Sequence, residues 1–197
     1  MNRCLFLIFI SFFFITKTAY GFDYKINSND LTLTGKLTDD YTYDFIEILS
    51  DNEIKRIIFD DVWFERESDA IEFSDVIIDF NLDTHIINTC WDACLYAFIS
   101  GKKRTMEKGS NITFEIVSYE KEFLQDIIDN KDYEYFGGLA EYIIFIDNNT
   151  KEDIINMLSL FIERKIDPQF VIELIRNANQ KSWTPRRTVL EKANVLN

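Results

Sequence analysis

Between Thr84 and Gly109 the chain changes character twice within a few residues. An apolar run short enough for a buried strand, with Ile86 and Ile87 in it, ends at Cys90, and Cys94, Ala97 and Phe98 then recur at helical spacing. Gly101-Lys102-Lys103-Arg104 closes the helix. A strand that turns sharply into a helix leaves unpaired backbone N–H groups at the turn, where the helix dipole favours negative charge. Asp92 occupies that turn, inside Cys90-Trp91-Asp92-Ala93-Cys94.

The flanking sequence repeats the same alternation. Phe22 to Asp30 reads as a polar lead-in and Leu31 to Gly35 as a strand. Asp39 to Ser50 sets Tyr41, Phe45, Ile48 and Leu49 on one helical face, and Glu65 to Phe80 does so with Ala70, Phe73, Ile77 and Phe80. Between them, Arg56 to Asp60 is continuously apolar in its middle, as expected of a parallel strand covered on both faces. Asp83 to Thr89 is the third strand, Arg104–Glu107 and Ile112–Val117 are short strands, and helices are expected over Tyr119–Asp129 and Tyr133–Asp147. Thr150 with Asp153 signals a further helix start, and Asp167-Pro168 and Thr184-Pro185 two more. Strand and helix in strict succession predict βαβ units, hence an α/β fold with a mainly parallel sheet and a helical C-terminal segment. No linker or internal repeat divides residues 22–197, so one domain is expected there.

Met1 to Gly21 reads as a secretory signal peptide, with Arg3 in its positive region, an apolar core from Cys4 to Ile15, and small residues around a cut before Phe22. An uncleaved N-terminal anchor is the alternative. The expected location is the periplasm or the exterior, with no membrane span in the mature chain. Without the leader the chain holds 34 acidic against 19 basic residues. Such a surface argues against nucleic acid and anionic lipid as partners. Cys90 and Cys94 remain, in a compartment where disulfides persist, and a bridge stapling the turn is the leading reading. Free buried thiols and a metal pair are the alternatives. His85, the only histidine, stands five extended residues before Cys90, roughly 16 Å, and reads as a partly exposed strand residue.

The order strand, C-x-x-A-C, apolar helix, Gly-x-x-Arg resembles secreted, periplasmic relatives of the Clp protease proteolytic subunit, within the ClpP/crotonase superfamily. The order of the tail is similar too: Asp153 to Glu163, then Ile166-Asp167-Pro168, then Trp183-Thr184-Pro185 and a last helix near Leu190, with Arg187 where the family carries a glutamate. The resemblance implies a nucleophilic serine at the position of Asp92 and a histidine at that of Glu115. It also implies a Gly-Gly turn, presenting oxyanion donors, where this chain reads Asp61-Val62-Trp63-Phe64-Glu65. A serine peptidase needs all three parts, and none is here.

The expected function is therefore an exported, catalytically inactive pseudo-peptidase that binds a peptide or protein partner in the cell envelope. Trp63, Phe64 and Trp91 are expected on loops around the former site, where they line a groove or plug it. One alternative is a hydrolase or lyase with Asp92 and Glu115 as acid and base, and another is a structural envelope protein. No cofactor is implied. A Ca²⁺ or Mg²⁺ site from Asp92, Glu115 and Asp60 or Asp61 matches no known ligand spacing, so no metal is expected. Relatives assemble through their helical faces, which leaves a homo-oligomer open.

Overall fold

The computed structural model describes residues 22–114, 129–131, 134–135, 137–178 and 182–197. The leader, Glu115 and most of the helix expected from Tyr119 lie outside these. β1 (Asp23–Asn27) and β2 (Asp30–Leu37) form an antiparallel hairpin, and β2, β3 (Arg56–Phe64) and β4 (Asp83–Trp91) follow in parallel. Both β5 (Arg104–Met106) and β6 (Asn111–Thr113) pair with β4, the first along Thr84–Ile86 and the second along Thr89–Trp91. The lead-in expected before Asp30 is thus a strand. Its Tyr24 and Ile26 alternate with exposed Asp23, Lys25 and Asn27, a pattern polar enough to hide it.

The crossovers are α1 (Thr42–Asp51) and α2 (Glu67–Asp79), and α3 (Cys94–Ile99) follows β4. α1 buries Phe45, Ile48 and Leu49 and α2 buries Ala70, Phe73 and Ile77, but Tyr41 precedes α1 half-buried and Phe80, expected in the second stripe, follows α2 and is exposed. Phe45 stacks on Phe73 with ring centroids 4.7 Å apart. α3 is apolar all round, and every residue of it is buried. α4 (Leu139–Glu163) runs without a break through the start expected at Thr150. Gly137 and Gly138, inside the helix expected over Tyr133–Asp147, instead precede α4, both at positive φ. α5 (Pro168–Ala178) begins at the expected proline, where the Asp167 side chain accepts the Gln169 N–H. α6 (Arg187–Lys192) starts two residues after Pro185.

Arg104 does more than close the helix pattern. Lys102 and Lys103 are exposed, but Arg104 is buried, and its guanidinium donates to the carbonyls of Ile99, Gly101, Asn194 and Val195. The end of α3 and the end of the chain thus share one cation. Gly101 lies in the same turn against Thr84, whose hydroxyl donates to the Phe98 carbonyl. A Cβ at Gly101 would stand 2.1 Å from that hydroxyl oxygen and 2.8 Å from the Thr84 Cβ. Thr84 is fully buried and has no room to swing aside. Gly101→Ala is expected to cost about 1–3 kcal/mol of stability, the usual range for overpacking, read as a lower urea midpoint with an unchanged slope.

His85 lies half-buried on β4, with Nδ1 2.8 Å from the Thr105 hydroxyl. Burial, and behind it the charge of Arg56, holds its pKa below the ordinary 6.5. The unfolded chain then takes that proton first, so stability present at neutral pH is lost as pH falls through the window below 6.5. The urea midpoint should drop between about pH 7.5 and pH 5.5, and drop less in His85→Gln.

Candidate functional site

β3, β4 and β6 end together at one edge of the structure, and the residues at those ends build the site. Asp92 follows β4 with a left-handed backbone, φ +47°, which a non-glycine residue adopts at a cost. Three bonds hold it there. Its N–H donates to the Thr113 carbonyl at 2.8 Å, its carbonyl accepts the Leu95 N–H at 3.1 Å, and Cys90 and Cys94 are joined in a disulfide across it. The N-cap place of α3 falls to Ala93, so Asp92 stands two residues before the first residue of the helix. Its side chain is half-buried.

The three aromatics expected on loops all end strands. Trp63 and Phe64 close β3, which continues past Asp60 instead of turning there, and Trp91 closes β4. Phe64 is removed from any groove, being buried and set edge-on to Phe73 at 5.2 Å. Trp63 is 44% exposed, with the Lys36 ammonium 5.4 Å from its ring centroid. The register explains the split. Asp61, at φ +52°, is an extra residue of β3 against β2, where Asp60 and Val62 face the adjacent Thr34 and Gly35. Against β4 the register slips at the same place, with Asn88 and Thr89 opposite it. That bulge re-phases the alternation, so Ile57 and Phe59 point inward before it and Val62 and Phe64 after it.

Lys36 pairs with Trp63, and Trp91 pairs with Thr113. Trp63 and Trp91 each lie one residue beyond the Val62–Cys90 pair, so the four residues form one row across one face of the sheet. Thr113 is joined to Thr184 through their hydroxyls at 2.9 Å and donates to Asn111. Beside it Phe114 and Trp183 exchange backbone hydrogen bonds and stack with centroids 5.6 Å apart. Thr113, Thr184 and Trp183 are parts of the site that sequence reasoning did not assign. Their signal was the two segments Thr113-Phe114 and Trp183-Thr184, which nothing in one dimension brings together.

The carboxylates considered for a metal are engaged in the strands. Asp60 accepts from the Asn88 side chain at 2.6 Å, and Asp61 accepts the Thr89 N–H at 3.1 Å. No group of three or more His, Cys, Asp or Glu side chains that could hold a metal ion occurs among the described residues. Glu115, the partner expected for Asp92, lies outside them. His85 sits seven residues before Asp92 on the same strand, roughly 23 Å of extended chain, too far to serve as its base.

A point mutant of ClpP1 from Listeria monocytogenes superposes with a TM-score of 0.55, at 10% identity, over 86% of this chain and 89% of that one. The fold is ClpP-like. A peptidase from Plasmodium falciparum gives a TM-score of 0.52 at 13% identity, over 86% of this chain and 93% of its own. No protein-family model matches the sequence, and no curated protein does. At such identities the likeness is one of fold alone. No described helix is long and apolar enough to cross a membrane.

The disulfide closes the turn on which this site stands. The loop-entropy relation for so short a loop gives about 2 kcal/mol of stabilisation. The double variant Cys90→Ser, Cys94→Ser should lose about that much in a guanidinium titration, and reductant should lower the wild type to meet it without moving the variant.

Proposed function

We propose that this chain is an exported, catalytically silent relative of the ClpP peptidases that binds a peptide or protein segment in the cell envelope. The observation that carries the reading is the turn after β4, where a tightly held left-handed residue at a strand-to-helix junction bears a carboxylate, Asp92, and no hydroxyl or thiol nucleophile. A carboxylate there cannot be activated as a serine is, and it repels the oxyanion of acyl transfer. The row of Lys36, Trp63, Trp91 and Thr113 supports a binding role. It sets the exposed ring of Trp63 and the half-buried Trp91 beside the turn, with Lys36 held against Trp63 and Glu65, and such aromatic surface carries contact energy in protein recognition. Phe64 takes no part. Export rests on the apolar leader and on the paired cysteines.

Purified protein, Asp92→Ala and Asp92→Ser should all fail to turn over a broad panel of fluorogenic peptide and ester substrates above background. Restoring the serine alone supplies neither base nor oxyanion donors, so Asp92→Ser is expected to stay silent. Wild-type turnover that disappears in Asp92→Ala would make Asp92 catalytic and overturn the reading.

A further inference from the structure

Away from the Asp92 turn, α2 and α4 leave a groove between them. It consists of two adjoining hollows, of about 200 and 280 Å³, which share Ile71 and Asn156. Its floor is apolar, made by Ile71 and Ile78 of α2, Tyr96 of α3, and Met157 and Leu160 of α4. Its rim is acidic. Glu67, Glu72 and Asp75 come from α2 and Glu163 from α4, and no lysine or arginine lines either hollow among the described residues. Of the cations nearest in sequence, Arg66 is engaged elsewhere, by Asp39 and Asp69, while Arg164 forms a long ion pair with Glu163, at 3.9 Å. Asp75 has its pKa raised, first by burial and then by the like charges of Asp79 and Glu163. Folding thus gathers negative charge over apolar surface and leaves part of it uncompensated.

We propose that this groove is a docking surface for a lysine- or arginine-bearing apolar segment of another protein. Charge selects that occupant. A cationic side chain relieves the repulsion between the two helices, while apolar side chains between the cations cover a floor that water solvates poorly. An anionic membrane or nucleic acid meets the same carboxylates as repulsion. From Glu67 to Ile78 the α2 wall is about 16 Å long, the reach of roughly five extended residues. The occupant is therefore a short segment with two or three cations. This surface is separate from the row beside Asp92 and does not depend on whether that turn is silent.

The test is fluorescence anisotropy of a labelled peptide of alternating lysine and leucine, with a glutamate-leucine peptide as counterpart, on the mature protein. Binding of the cationic peptide alone is expected. It should weaken at least tenfold in the triple variant Glu72→Gln, Asp75→Asn, Glu163→Gln, and stay unchanged in Glu47→Gln, Asp51→Asn, Glu53→Gln, which removes the same charge from an exposed stretch elsewhere. Asn156→Trp, which fills both hollows while sparing the carboxylates, should weaken binding as well. Equal loss in the two triple variants, no loss in Asn156→Trp, or displacement of the peptide by equimolar spermine would reduce the effect to general polycation attraction and overturn the proposal. A groove variant that dissociates a self-associated wild type in sedimentation would also overturn it, assigning the groove to a second copy of the chain.

Discussion

A buried cation fixes the geometry on which the rest of this structure depends. The Arg104 guanidinium sits where α3 ends and where the chain ends, two places at which backbone carbonyls run out of helical partners. Burial depresses its pKa, and the charge of Arg164 adds to that, yet its hydrogen bonds go to carbonyls that would otherwise be left unsatisfied. Charged hydrogen bonds of this kind contribute about 1.5–3 kcal/mol each, enough to offset a desolvation cost of several kcal/mol. With its C-terminal end held in this way and its N-terminal end tied to β4 by the disulfide, α3 has no freedom to slide. The Asp92 turn inherits that rigidity.

Much of this was legible in one dimension. The stripes of α1 and α2, the apolar runs of β3 and β4, the turn at Asp92 and the Cys90–Cys94 pairing all follow from local periodicity and from the few, closely spaced cysteines of the sequence. The errors arose where a long-range contact decides a local matter. A strict period of two carried on from Ile57 and Phe59 would bury Asp61 and Trp63. The bulge that reverses this is set by pairing with β4, where Asn88 and Thr89 bind the two aspartates. Thr150 carries the chemistry of a helix start, but α4 runs straight through it, because capping residues permit a boundary and do not impose one. The role of Arg104 requires carbonyls some ninety residues away, and no spacing rule reaches that far.

The same comparison separates the two faces of the molecule. At the strand ends, Asp60 and Asp61 are engaged in strand-to-strand bonds and the Thr113 hydroxyl is joined to that of Thr184. That arrangement holds a shape. Between α2 and α4 four carboxylates line one groove with no lysine or arginine among its described lining residues, although Glu163 pairs with Arg164 and Glu72 accepts the Thr42 hydroxyl. Stability is concentrated at the first place, and unspent electrostatic potential at the second.

β1 has a consequence for how the protein keeps company. An open sheet invites other chains to extend it by hydrogen-bonding along its outermost strand. Here that strand is five residues long and turns Asp23, Lys25 and Asn27 outward, so a strand approaching from outside meets charge at two of the three positions. Growth of the sheet on that side is discouraged by composition. The large exposed apolar side chains lie instead on helices such as α4, where Ile143, Ile144 and Ile155 face solvent, and not along the edge of the sheet.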